Sequence, residues 1–141
     1  MGSSVFTQEI VVPLGIGPDI KDITYDVQAA VKESGIQTGI ASCMVVGSTG
    51  SITTIEYEPG VIEDLKDAFN RLAPPHMEYK HELAWHDGNG HSHVQAALLG
   101  PSITVPIRKG NLVLGTWQQI VVCNHDNKAR RRLVEVTIIG E

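Results

Sequence analysis

The 141 residues carry sixteen acidic against eleven basic side chains, a net charge of −5 with neutral histidines, and 42% hydrophobic content. Such a chain fits one ordinary globular domain over 1–141; it is not a disordered composition, and no apolar run approaches the ~18 residues of a membrane helix. An acidic balance also argues against indiscriminate nucleic-acid binding, while leaving room for a local basic patch.

Residues 5–14 are β-branched and extended, ended by Pro13, Gly15, Gly17 and Pro18. Over 23–34, Ile23, Val27, Ala30 and Val31 recur at helical spacing and Gly35 supplies the stop. Residues 39–46 are apolar on both faces, the pattern of a central strand. A turn at Gly47-Ser48-Thr49-Gly50 leads into a Thr- and Ile-rich strand over 51–57. Val61, Leu65, Ala68, Phe69 and Leu72 then form the apolar stripe of a helix that begins after Pro59-Gly60 and stops at Pro74-Pro75. Past a histidine-rich loop, 94–99 reads as a short helix opened by 89–92. Strands over 102–107 and 112–114 flank a turn at Lys109-Gly110-Asn111, and 116–123 and 133–139 are expected to pair as a hairpin across Asp126-Asn127-Lys128. The sum predicts a single compact α+β domain. About seven strands, in mixed and mainly antiparallel sheets, pack with about three helices, and the C-terminal third is an antiparallel meander.

Five of the six histidines, His76, His81, His86, His91 and His93, fall in one stretch. Its centre is His86-Asp87-Gly88-Asn89-Gly90-His91-Ser92-His93, imidazoles and a carboxylate on a glycine-rich backbone. On a strand, His91 and His93 would share a side and one metal. If a helix starts near Ser92, its first N–H groups converge instead, and Gly88 and Gly90 let an anion approach them. The loop suits a phosphate, a metal or both. The competing reading is a capping turn with solvated histidines, because no standard zinc spacing is present. His81, His86 and His91 do not share a helical face at five-residue intervals.

Further along, Lys128, Arg130, Arg131 and Arg132 hold four of the eleven basic residues. Arg130 and Arg132 share a strand face and could clamp a phosphate, or the run is a solvated hairpin tip. Cys123 and His125 have same-face spacing, as a ligand pair or as a core cysteine beside a surface histidine. Glu56 ends its strand either as a general base or metal ligand or as a plain exposed carboxylate. Trp117 could stack on a flat ring or belong to the core. Neither Cys43 nor Cys123 belongs to a CxxC pair, and the first residues show no secretory pattern, so a cytoplasmic protein is expected.

Ser48-Thr49 followed by Glu56, Pro59-Gly60 followed by Asp64-Leu65, His81, Asp87-Gly88-Asn89 followed by His93, Ala96 with Leu99-Gly100, Gly110 with Gly115-Thr116-Trp117-Gln118, and Arg131-Arg132 occur in an order and spacing that resembles the YjbQ family. Members are called secondary thiamine-phosphate synthases, and the resemblance covers nearly the whole chain. It implies a compact α+β fold, a homotrimer with sites near subunit boundaries, and a transferase that joins a pyrimidine diphosphate to a thiazole phosphate and releases pyrophosphate. The polar set carried over is Glu56, His81, Asp87, Asn89, His93 and Arg131. Two positions depart from the pattern. Gly47 stands where many members have a histidine, with His91 as the candidate replacement, and Asn124 stands where many have an acidic residue.

The leading expectation is therefore a phosphate-handling enzyme acting on a small phosphorylated substrate. Its catalytic set is Glu56, His81, Asp87 and His93, and a divalent metal, Mg²⁺ or Zn²⁺, would sit on His81, Asp87 and His93. Asn89, Gly90, His91, Trp117 and Arg131 form the expected substrate and phosphate contacts, with cations neutralising a departing diphosphate. A metal-dependent phosphate-ester hydrolase and a non-catalytic trimeric ligand-binding module are the alternatives. No nucleic acid or membrane partner is expected.

Overall fold

The computed structural model describes residues 2–141. The β-branched N-terminal run forms β1 (Ser4–Leu14), which lies antiparallel to β8 (Arg130–Gly140) along its whole length. Strand β8 in turn pairs with β3 (Thr38–Val46), β3 with β5 (Ser102–Arg108), and β5 with the two-residue β6 (Asn111–Leu112). Lys109 and Gly110 take positive φ in the tight turn between β5 and β6. A second, three-stranded antiparallel sheet has the order β2 (Asp19–Asp22), β7 (Gln119–Asn124), β4 (Gly50–Ile55).

Two sheets need an apolar filling, and strand alternation supplies it. Val12 and Leu14 of β1, Ala41, Cys43 and Val45 of β3, and Val134, Val136 and Ile138 of β8 meet Ile52 of β4 and Ile120 and Val122 of β7. Helix α1 (Thr24–Ser34) adds Val27, Ala30 and Val31 to this core and ends at Gly35 in the left-handed conformation. The other face of β7 presents Val121 and Cys123 to a second cluster with Phe69 of α2 (Pro59–Leu72), beside Ile62 and Leu65. Helix α4 (Gly90–Leu99) joins this outer layer: Gln95 Nε2 donates to the Phe69 and Ala73 carbonyls at 3.2 and 3.0 Å. A one-turn helix, α3 (Glu82–Trp85), lies within the histidine loop.

Several expectations change. The strand apolar on both faces is β7; β3 is central in its sheet, but Met44 and Val46 on its outer face are 46% and 49% exposed. The strands expected to pair across Asp126-Asn127-Lys128 belong to different sheets, so that segment is a crossover and there is no C-terminal meander. Local pattern signals a turn but not the partner of each strand, and here the partners lie far away in sequence. Strand β2 and helix α3 are additions, eight strands and four helices in all among the described residues. Helix α2 includes Pro59 as its first residue, capped by the Glu58 carboxylate, which accepts from the Gly60 and Val61 N–H groups. No helix among the described residues is long and apolar enough to cross a membrane, a statement that leaves strands aside.

Candidate functional site

At one end of the molecule the chain passes from β3 to β4 through Gly47–Thr49 and from β7 to β8 through His125–Ala129, changing sheets each time. Helix α4 begins beside these two crossovers. Here Asp126, only 2% exposed, accepts hydrogen bonds from Thr49 Oγ1 (2.9 Å), Asn89 Nδ2 (3.1 Å), Arg130 Nε (3.0 Å) and the Lys128 N–H (3.0 Å). Burial alone would raise the Asp126 carboxyl, yet these donors hold it below its ordinary value. Asn89 completes the junction by accepting from Ser92 Oγ and the Asn127 N–H.

The histidine loop folds back onto this corner. Its Glu82 carboxylate accepts from the Gly88 and Gly90 N–H groups at 2.7 and 2.9 Å, and the Asp87 carboxylate accepts from the Asn89 N–H at 3.0 Å. The chain's own carboxylates therefore take the N–H groups that the glycine pattern suggests for an incoming anion. The Asn89 N–H and the neighbouring His81 hold the Asp87 carboxyl below the usual carboxylate range.

That fold brings together three of the expected residues. His81, Asp87 and His93 each offer a ligand atom, all within 4.8 Å of one another. His81 Nε2 donates to Asp87 Oδ1 at 3.0 Å, and the His81 and His93 rings lie 4.5 Å apart between centroids. Metal–nitrogen and metal–oxygen bonds of about 2.0–2.2 Å from one ion require this sort of spread, with a slight closing of the trio. Two imidazoles and one carboxylate suit Zn²⁺ better than Mg²⁺, which favours oxygen. Asp87, Asn89 and His93 line a cavity of about 370 Å³, together with Ser48, Thr49, Asp126 and Arg130 to Arg132.

The other expected residues are dispersed. Arg131 is exposed and lines the cavity. Gly90 is buried, and a Cβ there would meet Tyr79 Cβ at 2.4 Å, so its bare backbone serves packing. His91 also turns inward, toward the Tyr79 ring, and burial pushes its pKa down. It does not join the trio and gives no replacement for the histidine absent at Gly47. Glu56 and Trp117, the latter 69% exposed, lie past the far end of the β4–β7 pair, where Ile55 faces Gln119. Roughly 17 Å of strand separates them from the cavity at the Gly50 end. His125 is 1% exposed rather than superficial, donating from Nδ1 to Gln95 Oε1 and accepting at Nε2 from Ser51 Oγ, and burial lowers its pKa to about 4. In the sequence Ser48 and Thr49 read only as a turn and as part of the family pattern, and Asp126 only as a turn residue, so sequence alone assigns none of the three to the site.

Two antiparallel sheets with a His-Asp-His trio at the corner where the chain changes sheets define a compact α+β domain with a polar, metal-suited cavity. The chain belongs to the YjbQ-like UPF0047 family, whose model matches residues 8–141. A UPF0047 protein of Methanothermobacter thermautotrophicus is 34% identical over 97% of this chain and 94% of its own. Bacillus subtilis YugU, also a UPF0047 protein, is 36% identical over 84% and 88%. Among solved structures, a YbjQ-like protein of unknown function from Sulfolobus solfataricus P2 superposes with a TM-score of 0.95 at 35% identity, covering 99% of this chain and 100% of that one. A YjbQ/UPF0047 protein from Clostridium acetobutylicum gives 0.85 at 35% identity, over 93% and 98%.

Proposed function

We propose that this corner is the active site of a phosphate-handling enzyme of the thiamine-phosphate synthase type, a transferase that joins a pyrimidine diphosphate to a thiazole phosphate. The observation that carries the reading is the His81-Asp87-His93 trio opening onto a cavity walled by arginines. His81, Asp87 and His93 would hold a divalent metal, which would supply positive charge for a departing diphosphate. Arg131 faces the same cavity and adds a second cation for the developing negative charge. His93, half-buried and facing the cavity, is placed to move a proton at its free ring nitrogen. Asn89 keeps the trio's loop in place through Asp126 and Asn127.

The proposal includes a homotrimer whose sites approach subunit boundaries. Ile40, Met44 and Val46 of β3, Val5 and Val11 of β1 and Ile139 of β8 are apolar and exposed on the outer face of the five-stranded sheet. Val46 also lines the cavity, so a neighbour covering this face would close one wall of the site. A site completed across subunits also gives Glu56 and Trp117 a place that they lack within one chain. Native mass measurement tests the assembly, and a monomer at micromolar concentration would refute it.

The activity is tested by incubating purified protein with a pyrimidine diphosphate and a thiazole phosphate, with Mg²⁺ and separately with Zn²⁺. Thiamine phosphate should form. Phosphate release that needs no thiazole acceptor would turn the reading toward a hydrolase. No turnover above a heat-killed control, with either metal, would end the synthase reading.

A further inference from the structure

Arg132 is a buried cation bonded only to neutral groups. It is 6% exposed, and its Nη2 donates to Thr49 Oγ1 at 2.5 Å and Asn124 Oδ1 at 2.6 Å. Its Nε is buried without a hydrogen-bond partner, and Nη1 makes no hydrogen bond among the described residues. The carboxylate of Asp126 is engaged by Thr49, Asn89 and Arg130 instead. A guanidinium keeps its proton even when burial pushes its pKa down, as it does here. Buried charges are normally paired, because desolvation without an opposite charge is costly.

The space beside this cation is shaped by two glycines. Gly47, at a φ of +134°, has a conformation that favours glycine, and a Cβ there would lie 2.7 Å from Arg132 Nη1. A Cβ on Gly50 would come within 3.2 Å of Nε. The turn thus lies directly against the guanidinium, and its Ser48 and Thr49 line the same cavity as Arg130, Arg131 and Arg132. Asp87 and Asp126 line it too, and Asp126 is tied to Arg130 directly and to Arg132 through Thr49, so the donors left for an anion are those of Arg132 that neither Thr49 nor Asn124 takes.

We propose that Arg132 anchors an oxyanion subsite: a phosphoryl group of the substrate docks against its Nη1 and the Gly47–Gly50 turn, beneath Arg131 and apart from the His81-Asp87-His93 trio. The choice of phosphoryl rests on the phosphate-handling reading above, whereas the buried guanidinium without a direct carboxylate bond, its Nε unpartnered and Asp126 reaching it only through Thr49, does not depend on it. Two cationic anchoring points in one cavity, Arg132 and a metal at the trio, would select a substrate bearing a diphosphate, or a phosphate plus a second acidic group, over a simple monoanion. Arg130 is not part of the anchor, because Asp126 already holds it.

The test follows the arginine Nε–H signals of the full chain by NMR, after divalent metals are stripped with a chelator, as inorganic phosphate replaces chloride at constant ionic strength. The Arg132 signal is identified by elimination with Lys substitutions at the exposed Arg71, Arg108, Arg130 and Arg131. It should shift saturably with phosphate, and Arg132→Lys should weaken phosphate binding about tenfold or more. His93→Ala should leave phosphate binding by the metal-free protein intact while weakening Zn²⁺ binding about 100-fold or more, which separates this subsite from the metal-dependent activity. Should Arg132→Lys not fold, the titration of the unsubstituted protein decides alone. An Arg132 signal that stays fixed throughout, or that moves equally with chloride, overturns the proposal even if synthase activity is found. A shifting signal in a protein without synthase activity upholds the subsite and removes only the assigned reaction.

Discussion

Thr49 Oγ1 donates a 2.9 Å hydrogen bond to Asp126 Oδ2, and this bond ties together the β3–β4 and β7–β8 crossovers between the sheets. The same carboxylate holds Asn89 at the start of α4 and Arg130 at the start of β8. Three segments distant in sequence therefore meet on one buried side chain, and they help to line the cavity.

Replacing Asp126 with alanine should destabilise the protein by about 2–4 kcal/mol, because it leaves buried donors without an acceptor and Arg130 without its partner. Urea unfolding measures this, and a change under a few tenths of a kcal/mol would show that the junction is not held by the carboxylate. The pH dependence has a definite sign. The folded carboxyl lies below its ordinary value, so its stabilisation is complete above the unfolded value near 4 and fades as the pH falls through the lower, folded one.

His125 titrates with the same sign in a higher window. Its imidazole is held neutral, with a folded pKa of about 4 against an ordinary 6.5. Between those values the unfolded chain binds a proton that the folded chain refuses, so stability rises with pH across the window. The loss on acidification from about pH 6.5 to 4 should approach ~3 kcal/mol for this group. His125→Gln, whatever its stability at neutral pH, should flatten the slope by about one proton over that range. Unfolding free energies measured across the interval provide the check, and parallel curves for the two proteins would contradict it.

His125 also shows where the sequence stops being legible. Elements built on local periodicity, such as α1, α2, α4 and the β5–β6 hairpin, lie close to where their apolar spacing and turn residues put them. Pairing does not follow from spacing. Strand β8 resembles the second arm of a hairpin until it is seen between β1 and β3, and only then does Asp126 change from a turn residue to a buried junction. The site was legible to the extent that its groups are close in sequence: His81, Asp87 and His93 sit on one loop and helix start, with the metal donors visible as residue types. Arg132, Thr49 and Asn124 come from three separate segments, so only tertiary structure brings them together.

The proposed metal site at His81, Asp87 and His93 makes a sharp distinction among the histidines. Zn²⁺ titrated into metal-free protein should bind near one equivalent, and His81→Ala or His93→Ala should each reduce affinity by about 100-fold or more. His86→Ala and His91→Ala should leave it within about threefold, since neither belongs to the trio. Calorimetry on the five proteins decides the matter. Equal losses at His91 and His93 would mean that the loop rearranges around a different ligand set.

Glu82 is the test of how the loop is held. Its two carboxylate oxygens accept from the Gly88 and Gly90 N–H groups, closing the segment that presents His81 and Asp87. Glu82→Ala frees both amides, and their hydrogen exchange should accelerate while amides of β7 and β8 remain protected. Global stability should fall by only about 1–2 kcal/mol, whereas Zn²⁺ affinity should fall about 10- to 100-fold, because a ligand loop without its supporting bonds must be ordered on binding. Glu82→Gln, with one accepting oxygen in place of two, should lie between. If both variants exchange at the original rate and bind Zn²⁺ unchanged, the carboxylate is not what shapes the loop, and the trio must be held by Asn89 and its bonds to Asp126 and Asn127 alone.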